Sequence, residues 1–166
     1  MPRQDAFVEL IKAHEPIILK IVKFYTDSLE DEADLKQEII YQLWRSMDSF
    51  KGHAQVSSWI YRVALNTALV NLKKRKKQIA AQSIEQDIPS IVDENNKEEE
   101  EKVQQLYASI KQLPALDRAI ILLYLEEKSH AEIAEIIGLS PTNIGTRIGR
   151  IKKKLQSLFK LQKQWN

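Results

Sequence analysis

The sequence predicts an all-α protein: two small helical domains joined by an acidic linker, the second domain containing a helix-turn-helix. Three observations lead there. The 166 residues include only four glycines and five prolines, and few stretches alternate polar and apolar residues as exposed strands do. Apolar residues recur instead at the three- and four-residue spacing of one helix face. The charge also changes sign twice along the chain. Residues 1–80 carry 13 Lys/Arg against 10 Asp/Glu, a net +3; residues 81–102 carry two lysines against eight acids, a net −6; residues 103–166 carry ten basic and five acidic residues, a net +5.

The first domain is expected over residues 1–80. Residues 4–24 form an amphipathic pattern through Phe7, Leu10, Ile11, His14, Ile18 and Ile21. Pro16 lacks an N–H and interrupts it, either as a kink or as a break between two short helices. Asp31 or Asp34 is placed to cap a second helix running to about Met47, with Leu35, Glu38, Ile39, Gln42 and Leu43 crossing one side. A turn follows at Lys51, Gly52 and His53, and a third helix is expected over roughly 56–77, with Trp59, Ile60, Val63, Ala64 and Ala68 as its apolar positions. It ends in the block Lys73, Lys74, Arg75, Lys76 and Lys77. Adjacent cations repel, and a phosphate backbone would offset that cost while releasing counterions. An acidic protein surface is the other partner such a block could take.

Residues 81–102 read as the linker. Pro89, Asn95, Asn96 and the run Glu98 to Glu101 suit a self-repelling tether. Ile84, Ile88, Ile91 and Val92 are more apolar than a pure spacer needs.

The second domain, 103–166, opens on a helix over about 98–112 that overlaps the linker and is stopped by Pro114. A helix over about 115–125 follows. Ser129 with Glu132 three residues on makes a capping box for a short helix holding Ile133, Ala134, Ile136 and Ile137. Gly138 ends it, Leu139 fills the turn, and Ser140 caps the next helix with Pro141 at its first position. That is the spacing of a helix-turn-helix. Ile144, Ile148, Ile151 and Leu155 fall on the inward side. Thr142, Asn143, Thr146, Arg147, Arg150, Lys153 and Lys154 fall on the outward side. Asn143 and Arg147 are the candidate base-edge readers, and Arg150 with the lysines the candidate phosphate contacts. Two glycines inside this helix, Gly145 and Gly149, lower its propensity; they are open to two readings, room for close approach of DNA or another helix, or neutral surface positions.

Two longer stretches carry a family resemblance. DLKQEIIYQLWR (Asp34 to Arg45) and SSWIYRVALNTALVNLKKRKK (Ser57 to Lys77) resemble region 2 of the extracytoplasmic-function sigma factors, and LPALDRAIILLYLEEKSHAEIAEIIGLS (Leu113 to Ser140) with the helix after it resembles their region 4. The resemblance covers nearly the whole chain and implies a factor that binds core RNA polymerase, opens the promoter at the −10 element and reads the −35 element. It places Asp34, Leu35, Gln37, Glu38 and Trp44 on the polymerase-facing helix or in its packing. It places Trp59, Arg62, Asn66, Lys73, Lys74 and Arg75 at the −10 end, and the helix after Pro141 at the −35 element. Members of that family are commonly restrained by an anti-sigma protein, which the resemblance leaves open here. The chain departs from the family where Gly145 replaces a lysine of the recognition helix and Asn71 replaces an aspartate near the −10 end.

Other classes find less support. Cysteine is absent, which excludes disulfides and thiolate metal sites. His14, His53 and His130 have no metal-ligand spacing, and no Gly-rich phosphate loop occurs. No cofactor, metal or enzymatic activity is expected. No apolar run approaches 18 residues, so neither membrane insertion nor a location outside the cytoplasm is expected. The competing functions are a dimeric helix-turn-helix regulator that binds duplex DNA without polymerase, and an adaptor that binds only protein. Trp44, Trp59 and Tyr61 are open to two roles, stacking on released bases or filling a small core.

Overall fold

The computed structural model describes residues 2–50, 55–82 and 97–163, and all regular structure among them is helical. The chain divides into two compact units, Met1–Gln82 and Ser83–Asn166.

In the first unit, α1 (Pro2–Ala13) and α2 (Glu15–Tyr25) are separate helices. Proline therefore breaks the pattern rather than kinking it. His14 leaves helical geometry at φ −116° and ψ 15°, and Pro16 sits in the first turn of α2, where its missing N–H costs nothing. α3 spans Leu29–Ser46 and α4 Val56–Gln82, five residues beyond its expected end. The cap of α3 is Ser28, not Asp31 or Asp34: in extended geometry, its Oγ accepts the Asp31 N–H at 3.1 Å. Glu30, Asp31 and Glu32 then occupy the first turn, where carboxylates oppose the positive end of the helix dipole.

The core of this unit is Ile18, Ile21, Val22, Phe24 and Tyr25 of α2, Leu35, Ile39 and Leu43 of α3, and Ile60, Ala64, Leu65 and Ala68 of α4. Ala64 and Ala68 keep that face of α4 low, so α2 and α3 both pack against it. Truncating one of the fully buried aliphatics, Ile60 for example, would cost about 2–5 kcal/mol.

The second unit holds α5 (Lys97–Lys111), α6 (Ala115–Leu125), α7 (His130–Ile137) and α8 (Pro141–Lys163). α5 begins at Lys97, so residues 97–102, which their charge assigns to the linker, belong to a helix. Acidic residues at a helix start are favoured by the dipole, which composition alone conceals. The remaining linker positions, including Ile84, Ile88, Pro89, Ile91, Val92, Asn95 and Asn96, lie outside the described residues, as does the expected turn at Lys51, Gly52 and His53.

Arg118 ties α6 to the end of α5 by donating to the Lys111 carbonyl at 2.6 Å and the Leu113 carbonyl at 3.0 Å. Ser129 caps α7 through the Glu132 N–H at 3.1 Å. Gly138, at φ 90°, closes α7 in the left-handed conformation that a side chain would strain. Ser140 caps α8 through the Asn143 N–H at 3.2 Å. Ile144, Ile148, Ile151 and Leu155 are buried along one side of α8. The helix-turn-helix thus has its caps, its turn glycine and its apolar seat where the sequence places them.

Candidate nucleic-acid interface

With one side of α8 buried, its other side is fixed in direction. Thr142, Asn143, Thr146, Arg150, Lys153 and Lys154 are exposed there, while Arg147 is half-buried. Arg147 is held on both flanks: its Nε donates to Asn143 Oδ1 at 3.2 Å, and its Nη1 lies 3.4 Å from Asp117 Oδ1 of α6. The Thr146 hydroxyl donates back to the Thr142 carbonyl at 3.1 Å. Lys152 is diverted from the face, its ammonium 4.4 Å from the centre of the Tyr124 ring. Gly145 meets another helix: a Cβ there would lie 3.4 Å from His130 Nδ1, so the glycine accommodates that ring at the start of α7. Gly149 has nothing within 4 Å of where its Cβ would be. The face as built offers donors and cations over several turns, suited to a phosphate-lined groove.

In the first unit, Arg62, Asn66, Lys73 and Lys77 are exposed and spaced at four, seven and four residues, which sets them along one stripe of α4. Val70, 55% exposed, extends that stripe, although its residue type gives no hint of a surface position. Lys74 and Lys76 are also exposed. Arg75 behaves differently. Its guanidinium bonds Asp31 Oδ2 at 2.7 Å and donates to the Tyr25 carbonyl at 2.6 Å, while its Nε is buried with no hydrogen-bond partner. Its guanidinium is held at the ends of α2 and α3, apart from the exposed lysines on either side. A signal for this exists in the sequence: Arg75 follows Ala68 by seven residues and so continues the buried stripe of α4.

Trp59 is also turned inward. It is 9% exposed, and the Phe50 ring stacks on it at 5.0 Å with a 30° interplanar angle. Tyr61 is buried too, so of the two open roles both residues take the core one.

Along α3, Asp34, Gln37 and Glu38 are exposed, whereas Leu35 is wholly buried and supports the face from behind instead of forming it. Beside them lies an apolar groove of about 430 Å³ between α1 and α3, lined by Phe7, Val8, Ile40, Tyr41 and Trp44, with Gln4 and Gln37 at its edge. The Trp44 ring packs edge-on to Phe7 at 5.0 Å and lies under the Arg3 guanidinium at 4.7 Å. Val8, Ile40 and Tyr41 carried no sequence signal for a surface role, because helical periodicity does not distinguish a half-covered stripe from a core one.

Among the described residues no group of three or more His, Asp or Glu side chains is placed to hold a metal, and no helix is long and apolar enough to cross a membrane.

Comparison with known proteins bears on both units. Residues 10–78 match the family model described as Sigma-70 region 2, and residues 103–155 match that described as Sigma-70, region 4. The chain is 29% identical to the ECF RNA polymerase sigma-E factor of Escherichia coli K12, over 93% of this chain and 86% of that protein. It is 27% identical to the ECF RNA polymerase sigma factor SigW of Bacillus subtilis, over 93% and 91%. Among solved structures, the fold is similar to the sigma factor RpoE of Bartonella quintana in complex with the anti-sigma factor NepR, with TM-score 0.76, 20% identity and coverage of 93% and 97%. It is also similar to CnrH in complex with the cytosolic domain of CnrY, with TM-score 0.69, 22% identity and coverage of 95% and 90%.

Proposed function

The chain belongs to the extracytoplasmic-function group of sigma-70 factors, and from that premise we propose how its own residues divide the work of starting transcription. It is a sigma factor that binds core RNA polymerase and directs promoter recognition, DNA melting and initiation. One observation carries that reading over the dimeric regulator: a region 2 match and a region 4 match stand in one chain, in that order. A regulator needs only the second.

Residue by residue, Asp34, Gln37 and Glu38 with the adjoining apolar groove form the polymerase-docking face, an arrangement of an apolar centre and a polar rim. Arg62, Asn66, Lys73 and Lys74 face the −10 element. Thr142, Asn143, Thr146 and Arg147 enter the −35 major groove from α8, and Arg150, Lys153 and Lys154 meet its phosphates. The action is non-catalytic. Opening the duplex requires that binding of the released strand exceed the cost of unstacking, a few kcal/mol per flipped base, and no nucleotide chemistry by this chain is involved. The site of action is the cytoplasm. An anti-sigma protein is the proposed restraint, supported by the Bartonella quintana relative, whose structure is a complex with the anti-sigma factor NepR.

Size-exclusion chromatography with purified bacterial core polymerase tests the assignment. The expected result is co-elution of one chain per core, with no stable complex on palindromic duplex DNA in the absence of core. A dimer that binds such a palindrome alone and ignores core polymerase would reverse the conclusion in favour of the regulator.

A further inference from the structure

We propose that Asp117, an acidic side chain on α6, is a positioning residue for −35 recognition, setting the orientation in which Arg147 of α8 meets the DNA. The inference rests on the sigma-factor reading above and deepens it: base preference would be shared between the recognition helix and the helix behind it.

The geometry begins with Arg147. An arginine on an exposed helix face has several rotatable bonds and samples many orientations, and ordering it on a base edge costs entropy. Here two neighbours narrow that freedom before DNA arrives. Asp117 Oδ1 lies 3.4 Å from Nη1, and Asn143 Oδ1 accepts from Nε at 3.2 Å. Asp117 is 23% exposed and is reached across a gap of thirty residues in sequence, so its contact comes from the fold and not from the helix itself. These two contacts use Nε and one hydrogen of Nη1, and a guanidinium presented in one plane is what paired contacts to a base edge need. Asn143 is changed as well. Its amide oxygen accepts from Arg147, which leaves the NH₂ as the donor it brings to DNA.

The same acid carries an electrostatic penalty. Asp117 shares a hollow of about 190 Å³ with Arg147, Arg150 and Lys154, and one carboxylate among these cations weakens attraction to phosphate. Selectivity and affinity therefore pull apart at this position. Removing the charge raises affinity for DNA of any sequence and lowers discrimination between sequences. A residue that served only to stabilise α6 would lower both together.

The experiment uses holoenzyme made from core polymerase and the full chain. Wild-type holoenzyme first captures fragments from sheared genomic DNA of the source bacterium; a captured promoter is then varied one base pair at a time across its −35 element. With Asp117→Asn, the ratio of matched to mismatched affinity falls about 3- to 10-fold at the pair that Arg147 meets, a part of what a full bidentate contact contributes. Mismatched DNA is bound more tightly than by wild type. Asp117→Ala does the same, and melting curves of both variants report the fold. Glu127→Gln, which removes a charge from the α6–α7 turn, leaves the ratio unchanged. In an Arg147→Ala background, Asp117→Asn has no further effect on the ratio. An unchanged ratio, or equal loss on matched and mismatched DNA, overturns the role of Asp117 while leaving the sigma-factor reading intact. A wild-type holoenzyme with no base preference at any upstream position overturns both.

Discussion

The basic end of α4 and the outer face of α8 carry the same kind of charge and are built in opposite ways. On α4 the cations follow one another without a gap from Lys73 to Lys77, and the fold turns the middle one inward. Arg75 joins the ends of α2 and α3 through Asp31 and the Tyr25 carbonyl at 2.7 and 2.6 Å, leaving lysines on either side to face solvent. On α8 Arg147, Arg150, Lys153 and Lys154 share the face opposite the buried side, and Arg147 is steadied at 3.4 Å by a single acid. One arginine holds the protein together, and the other is held by it. A run of like charges is therefore not a uniform surface, and its structural member is found by following the buried stripe.

Substitutions can break the contrast. Arg75→Ala removes the guanidinium from the Asp31 carboxylate and the Tyr25 carbonyl, and should lower the stability of the first unit by about 2–3 kcal/mol in urea unfolding. Arg147→Ala should leave stability within about 0.5 kcal/mol of wild type and instead remove about 1–3 kcal/mol of base discrimination in holoenzyme binding. Equal melting of the two variants would erase the distinction. Replacing Lys73 and Lys74 together by Ala should weaken promoter binding evenly across sequences. The slope of log affinity against log salt should become shallower by up to about two, one increment for each phosphate that is no longer neutralised. Ser140→Ala removes the cap that starts α8 and should cost about 1 kcal/mol, with the loss confined to the second unit. The smallest expected effect is a gain. Gly149→Ala, with open space around the new methyl, should stabilise α8 by about 0.5–1 kcal/mol, whereas Gly145→Ala meets the His130 ring and should gain less.

Much of this molecule is legible in its sequence where the signal is local. The break at His14 follows from a proline whose missing N–H cannot be supplied in a helix interior. The second unit is read almost turn by turn, because Ser129, Gly138, Ser140 and Pro141 each act on backbone groups within four residues. Local rules fail where several residues offer the same service. Ser28, Asp31 and Asp34 can all cap a helix, and the choice of Ser28 is made by where the chain leaves extended geometry. The interface is less legible than the fold for a related reason. Whether Trp59 meets solvent depends on Phe50, nine residues away, and whether Arg147 is loose or steadied depends on Asp117, thirty residues away. Pairings across helices leave no periodic trace, and a groove such as that between α1 and α3 is built from residues that read as ordinary core.

Run-off transcription with purified bacterial core polymerase decides whether this chain starts transcription. Genomic fragments are transcribed with core alone and with core plus this chain. Discrete start sites should appear only when the chain is present, and should disappear when Arg147→Ala and Arg150→Ala are introduced together. No new start sites from folded protein and competent polymerase would contradict the account.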